Sequence, residues 1–273
     1  MASGSLDRTV RLRDTATGDL IRTFNGHLNS DILGVAISPD GANLAAVGSH
    51  YGLTVWNLRS GRDPVYVRPF PTNLSGLSYS PDGTRLAVSN YGLTIHILDA
   101  SNGKDVASRD ELASGINAVA YRPDGKRVAA GCGDHTVLIW DIETGKLQPL
   151  KGHEAGAESV AYSPDGHWLA SADDNGEVIL WDATAENEVK LALRIHAHRD
   201  FVNCVRFSPD GRRLATASRD GTVKLWDAAS GSLVRIFRAR QEEVFAVAFH
   251  PDGKTLASAG ADATVKIWEV PLP

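Results

Sequence analysis

His196 and His198 are spaced like a weak pair of metal ligands, but no Cys or acidic companion stands at a spacing that would complete a site. The segment Asp173-Asp174-Asn175-Gly176-Glu177 is acidic enough for calcium, yet it lacks the loop pattern of an EF-hand and falls where the chain should turn. Cys132 and Cys204 sit in apolar contexts and read as two core thiols rather than a disulfide. Asn73-Leu74-Ser75 fits a glycosylation acceptor, but no secretory signal accompanies it. There is no Gly-rich phosphate loop, nucleophile elbow or paired-carboxylate spacing outside a regular repeat, and the glycines fall in turns that need positive φ. The chemistry therefore argues against an enzyme and implies neither a metal nor a cofactor.

The residues that do recur are structural. Pro39, Pro81, Pro123, Pro164, Pro209 and Pro251 each open a Pro-Asp-Gly turn. Seventeen residues after each Pro stand Trp56, Leu98, Trp140, Trp181, Trp226 and Trp268, followed by Asn57, Asp99, Asp141, Asp182, Asp227 and Glu269. The period is 41 to 45 residues, which marks an array of equivalent units.

Each unit reads as four strands. The first ends in a branched and then a larger apolar residue on one face: Val35/Ile37, Leu77/Tyr79, Val119/Tyr121, Val160/Tyr162, Val205/Phe207 and Val247/Phe249. The residue between them is usually small, as an interior strand closely approached by a neighbouring sheet requires. After the Pro-Asp-Gly turn a second strand opens with Leu44, Leu86, Val128, Leu169, Leu214 or Leu256. A tight turn such as Arg219-Asp220-Gly221 leads to a third strand such as Thr222-Val223-Lys224-Leu225-Trp226. A Thr-Gly or Ser-Gly turn then leads to a more polar fourth strand such as Leu233-Val234-Arg235-Ile236. One such sheet buries too little surface to stand alone, so the units must pack on one another.

These repeats resemble the WD-repeat family over nearly the whole chain. The resemblance implies an all-β fold, a β-propeller of four-stranded antiparallel blades. In that family a His, a strand hydroxyl, a turn Asp and the Trp commonly form a buried hydrogen-bonded tetrad. Carried over, it gives His198, Thr216, Asp220 and Trp226, and less completely His153, Ser171, Asn175 and Trp181. Arg240 stands where the last unit should have its His, and Leu98 replaces one Trp. The tetrad's role is structural, because a buried indole N–H needs an acceptor and a buried carboxylate needs donors.

At the start, Ser3 to Asp14 aligns with Thr216 to Asp227, so the first unit lacks its first strand, and the last unit stops after Trp268-Glu269-Val270 without its fourth. Counting third strands predicts seven blades with the first and last incomplete. The alternative is six closed blades, with Leu20 to Phe24 serving as the fourth strand of the last unit. The expectation is one propeller domain over residues 1–273, a fragment or domain of a longer chain.

A net charge of -5 and a pI near 6.0 argue against generic nucleic-acid binding. No apolar stretch has membrane-spanning length, and Met1-Ala2-Ser3-Gly4 does not open a signal peptide, so the expected compartment is the cytoplasm.

The resemblance implies a non-catalytic interaction scaffold whose partner, a protein or peptide, binds the face carrying the loop into the first strand and the turn between the second and third strands. The positions that family uses lie eight and six residues before each Pro and seven before each Trp position. They are Asp31, Leu33 and Ser49; Asn73, Ser75 and Tyr91; Gly115, Asn117 and Gly133; Gly156, Glu158 and Asp174; Phe201, Asn203 and Arg219; and Glu243, Phe245 and Ala261. They vary while the framework repeats. Phe201, Phe245 and Arg219 are of the types that dominate binding hot spots, and Asp31, Glu158, Asp174 and Glu243 would surround them with negative charge. The expected partner carries Lys or Arg beside an apolar anchor. Two other readings stand beside it. The Ser-Pro-Asp-Gly units also resemble regulatory or sensory propellers attached to kinases or nucleotide-hydrolysing switch proteins. Trp56-Asn57-Leu58-Arg59 resembles the Trp-Asp-x-Arg box of ubiquitin-ligase substrate receptors, with Asn57 in place of Asp.

Overall fold

The computed structural model describes residues 1–25, 31–49, 52–60, 64–110, 112–185, 188–238 and 242–271. Arg240, singled out above, lies outside them. The described residues form seven antiparallel sheets and no helix, hence none long and apolar enough to cross a membrane. The fold is an all-β, seven-bladed β-propeller.

The five middle sheets are four-stranded meanders, in which each strand pairs with the next in sequence. The sixth is representative, with strands Val202–Phe207, Arg213–Ser218, Thr222–Asp227 and Leu233–Arg238. The first sheet has three strands, Ala2–Gly4, Val10–Arg13 and Leu20–Phe24, and the last has Val244–Phe249, Thr255–Gly260 and Val265–Glu269.

The six-bladed alternative is overturned by the pairing of Leu20–Phe24, whose Phe24 faces Val10 and Arg22 faces Leu12. The reason is local. Asp14 Oδ1 accepts from the N–H groups of Ala16 and Thr17, and Gly18 turns the chain at φ 77°. A short capped hairpin forms at far lower entropic cost than a pairing across most of the chain.

The chain divides into two compact units, Met1–Tyr121 and Arg122–Pro273. In both, the face of one sheet presents small and branched residues that receive the opposite face of the next. In the first unit, Val10 and Phe24 pack with Ile32, Leu44, Ala46 and Trp56, while Ala45, Val47, Leu53 and Val55 pack with Leu74, Leu86 and Leu98. Leu44 and Ala45 are adjacent in sequence and enter different cores because strand side chains alternate. In the second unit, Ala170, Ala172, Val178 and Leu180 meet Val202, Val205, Leu214 and Trp226. One sheet further, Ala215, Ala217, Val223, Leu225 and Phe237 meet Val244, Val247 and Leu256. Alanines at these second-strand positions bring the sheets close.

The Pro-Asp-Gly turns are built to one plan. Ser208 Oγ donates to Asp210 Oδ1 and accepts from the N–H of Arg213, and Ser38, Ser80 and Ser163 begin their turns in the same way. The turn glycine needs positive φ (71° at Gly211), which an L side chain rarely adopts, although a Cβ there would make only ordinary van der Waals contact with Pro164 Cδ at 3.6 Å.

Leu225 is fully buried, whereas Ile267, at the same third-strand position of the last sheet, is 48% exposed. Leu225→Ala should therefore destabilise the protein by about 2–5 kcal/mol, and Ile267→Ala by well under half of that. Urea denaturation followed by tryptophan fluorescence measures both.

Candidate functional site

The buried polar networks show how the sheet interiors are held. In the sixth sheet Trp226 Nε1 donates to Thr216 Oγ1 (3.0 Å), which lies 2.7 Å from His198 Nε2, and His198 Nδ1 lies 3.0 Å from Asp220 Oδ2. The directions are consistent in one tautomer only. The Asp220 carboxylate can only accept, so the imidazole proton sits on Nδ1 and points at it, which leaves Nε2 to accept from the Thr216 hydroxyl while that hydroxyl's oxygen accepts from Trp226. Burial holds His198 below the ordinary imidazole range. Burial also works against the Asp220 charge, yet the hydrogen bonds from His198 and Thr222 hold that carboxyl well below the usual range.

The fifth sheet makes the same chain from Trp181 to Ser171 (2.8 Å) to His153 (2.6 Å), but the carboxylate is not where the repeat register puts it. Asp173, at the end of the second strand, lies 2.8 Å from His153 Nδ1. Asn175, the register equivalent of Asp220, is exposed and contributes its backbone N–H to Asp173 Oδ1, as does Glu177. Asn175 is therefore corrected to a turn residue. A fully buried strand-end carboxylate can cap the turn and orient the histidine at once, which leaves the turn amide side chain in solvent. The sequence carried the signal in Asp173 itself, which register alone passed over. In the fourth sheet the acceptor is missing: Ala130 occupies the hydroxyl position, and Trp140 Nε1 is buried with no partner among the described residues.

His153, Asp173 and Glu177 place ligand atoms within 4.8 Å of one another, which is close enough to hold a cation. Their atoms are already engaged, His153 with Asp173 and Ser171, and Glu177 with Arg194 and His196. His196 and His198 thus serve separate carboxylates. Cys132 and Cys204 are buried free thiols, and burial pushes Cys132 up to about 11. Asn57 caps its turn by accepting from the N–H groups of Arg59 and Ser60, as the Asp residues do at that position in other sheets.

The loop-face residues are gathered by one repeated backbone bond. The N–H of the residue seven before the Trp position donates to the carbonyl eight before the Pro: Ser49 to Asp31, Tyr91 to Asn73, Asp174 to Gly156, Arg219 to Phe201, and Ala261 to Glu243. This bond ties the turn between the second and third strands to the loop entering the first, so their side chains stand together.

In the first unit it gathers Asp31 with Ser49 beside the exposed Leu33, and Asn73 with Tyr91, whose side chain is exposed; Asn117 is half-buried. In the second unit it gathers three pairs. Glu158 and Asp174 both reach over Gly156, where a Cβ would lie 3.3 Å from Asp174 Oδ2 and 3.7 Å from Glu158 Oε1. Burial, with the Asp174 charge behind it, pushes Glu158 up to about 7. Asp174 is raised as well, first by burial and then by Asp173. The Arg219 guanidinium lies over the Phe201 ring at 5.4 Å, and Phe201 is 38% exposed. Asn203 Nδ2 donates to Glu243 Oε1 (3.2 Å) and to the Val244 carbonyl (3.0 Å), joining the sixth sheet to the seventh next to Phe245, which is 45% exposed.

Two measurements check these assignments. Asp173→Ala strands the His153 N–H and should cost about 1–3 kcal/mol in urea denaturation, whereas Asn175→Ala should stay within about 0.5 kcal/mol. Glu158 binds its proton more tightly folded than unfolded, so its contribution to stability falls as pH rises from its ordinary 4.5 to about 7. Glu158→Gln should therefore raise the melting temperature relative to wild type at pH 8 and lose that advantage at pH 4.

A comparison with curated proteins gives no match. The family model described as WD domain, G-beta repeat matches residues 18–57, 109–141, 145–182, 189–227 and 231–269. All but the second of these matches begin at or just before the fourth strand of one sheet, and every one ends with the third strand of a sheet, so a sequence repeat and a sheet are offset by one strand. With five repeats covering well over half of its residues, the chain belongs to the WD-repeat family.

Proposed function

We propose that this chain is a protein-interaction scaffold and not a catalyst, as WD-repeat propellers generally are, and that its second unit binds an extended peptide or loop on the face carrying Phe201 and Phe245. The observation that carries this reading is that two large aromatic side chains stand exposed on adjacent sheets, with their supports fixed by the Arg219–Phe201 backbone bond and the Asn203–Glu243 clamp. Exposed aromatics on a rigid frame offer apolar contact area at little entropic cost, and such residues dominate binding energy where they occur. Glu243 and Asp174 add negative charge to the same unit, which favours a partner with Lys or Arg beside its apolar anchor. Arg219 covers one face of Phe201 and leaves the remaining ring surface for that anchor.

The test is affinity capture from lysate with the wild type and with Phe201→Ala/Phe245→Ala, both checked for folding by circular dichroism. A partner held by the wild type should lose about tenfold or more in affinity for the double variant. Equal capture by two folded proteins would sink the site.

A further inference from the structure

The fifth sheet departs from its neighbours at three positions around one turn. Four residues before the Trp or Leu98 position stand Thr94, Thr136, Thr222 and Thr264, but here Glu177. Two residues earlier the turn carries Asp134, Asp220 and Asp262, but here Asn175. In those sheets the Thr hydroxyl donates to the turn Asp, at 2.6 Å in the fourth and sixth sheets and 2.8 Å in the last. The fifth sheet gives up this pair. It sets one carboxylate at the end of its second strand, Asp173, where other sheets have Asn90, Cys132, Ser218 and Gly260, and another at the start of its third, Glu177.

Both carboxylates converge on His153, which reaches them from the loop before the first strand Ala157–Tyr162. One ligand atom from each of His153, Asp173 and Glu177 lies within 4.8 Å of the other two. The His153 and Asp173 side chains are fully buried, and that of Glu177 is 12% exposed. His196, opposite Glu177 on the fourth strand, stands on the solvent side with its side chain 84% exposed and Nδ1 3.0 Å from Glu177 Oε1. A second carboxylate is more than the histidine needs, since Asp173 accepts the His153 N–H at 2.8 Å much as Asp220 accepts that of His198. Two carboxylates are thus drawn to this place against one guanidinium, that of Arg194. In the sixth sheet Thr222 takes the place of Glu177 and brings only a hydroxyl, 3.2 Å from His198 Nδ1.

We propose that His153, Asp173 and Glu177 form a binding site for a divalent transition-metal ion of the zinc class, with the fourth coordination position on the side of His196. The donor set decides the class: an imidazole nitrogen with two carboxylates suits zinc and its neighbours, whereas calcium takes six to eight oxygens. The spacing suits zinc as well. Ligands at about 2.0–2.2 Å from a tetrahedral ion stand about 3.3 Å from one another, so His153 Nδ1 and Asp173 Oδ2, 2.8 Å apart, part by about half an ångström. The bond that the ion replaces runs between two of its own ligands, so neither group is stranded. His153 Nδ1 exchanges its proton for the ion, and Nε2 takes up a proton that it donates to Ser171 Oγ, 2.6 Å away, an outer bond of the kind that fixes a metal-bound imidazole. Arg194, which donates to Glu177 and to the Gly152 carbonyl, steadies the other carboxylate from outside. The ion ties the loop before the first strand to the second and third strands, so binding stabilises the folded sheet. This site is separate from the Phe201/Phe245 face and does not depend on that reading.

The test uses the whole chain without an affinity tag, stripped with a chelator and titrated with zinc chloride by calorimetry and with cobalt(II) by visible absorption. One equivalent of zinc is expected, with a rise in melting temperature, and cobalt should show the intense visible bands of a four-coordinate site. Loss of an outer-shell partner alone weakens metal binding by about 10–100-fold, so loss of a ligand should do at least as much. Glu177→Thr, which gives this sheet the residue of its neighbours, should therefore fold normally by circular dichroism and bind zinc at least about tenfold more weakly. His167→Ala/His250→Ala removes two exposed imidazoles and should bind zinc as the wild type does. The proposal is overturned if zinc does not bind or if Glu177→Thr binds it unchanged. It is also overturned if His167→Ala/His250→Ala abolishes binding, because the zinc then sits on surface histidines.

Discussion

Everything in this fold depends on one sheet face receiving the next. A four-stranded sheet of about 40 residues cannot bury enough apolar surface to pay its own ordering entropy. The repeat answers this with two unlike faces. One carries alanines, valines and leucines, as Ala215, Ala217, Val223 and Leu225 do, and the other carries an apolar first strand and a tryptophan. The asymmetry lets sheets add in one direction.

The tryptophan brings a cost with it, because its indole N–H is carried into a core. The hydroxyl, histidine and carboxylate that follow exist to satisfy that donor and then one another, until the charge ends at a turn where backbone N–H groups bind it. Asp173 and Asp220 reach this end from different positions in the chain, which shows that the constraint lies on the network and not on a residue number. At Trp140, whose Nε1 has no acceptor among the described residues, the ring is nonetheless buried.

The same economy explains the loop face. The backbone bond from Arg219 to Phe201, and its counterparts, fix where side chains emerge without specifying which side chains they are. The framework therefore repeats while these positions vary, and they are free to carry aromatics, acids or glycine. Not all of them are equally available. Asn203 is spent in joining two sheets, and the charge of Glu158 is opposed by burial and then by Asp174, whereas Phe201 and Phe245 face solvent.

Sequence by itself determined the period, the strand order within each unit, the turn chemistry and the count of seven third strands. These are local properties: alternation, positive-φ glycines and capping aspartates leave their marks within a few residues. It also placed His198, Thr216, Asp220 and Trp226 in register. Tertiary structure alone decided the rest. It committed Leu20–Phe24 to the first sheet, took the carboxylate beside His153 from Asp173 instead of Asn175, brought Asn203 onto Glu243, and left Ile267 open while burying Leu225. Each of these depends on which surface a neighbouring strand presents across space, and a side chain's type carries no record of its neighbour's.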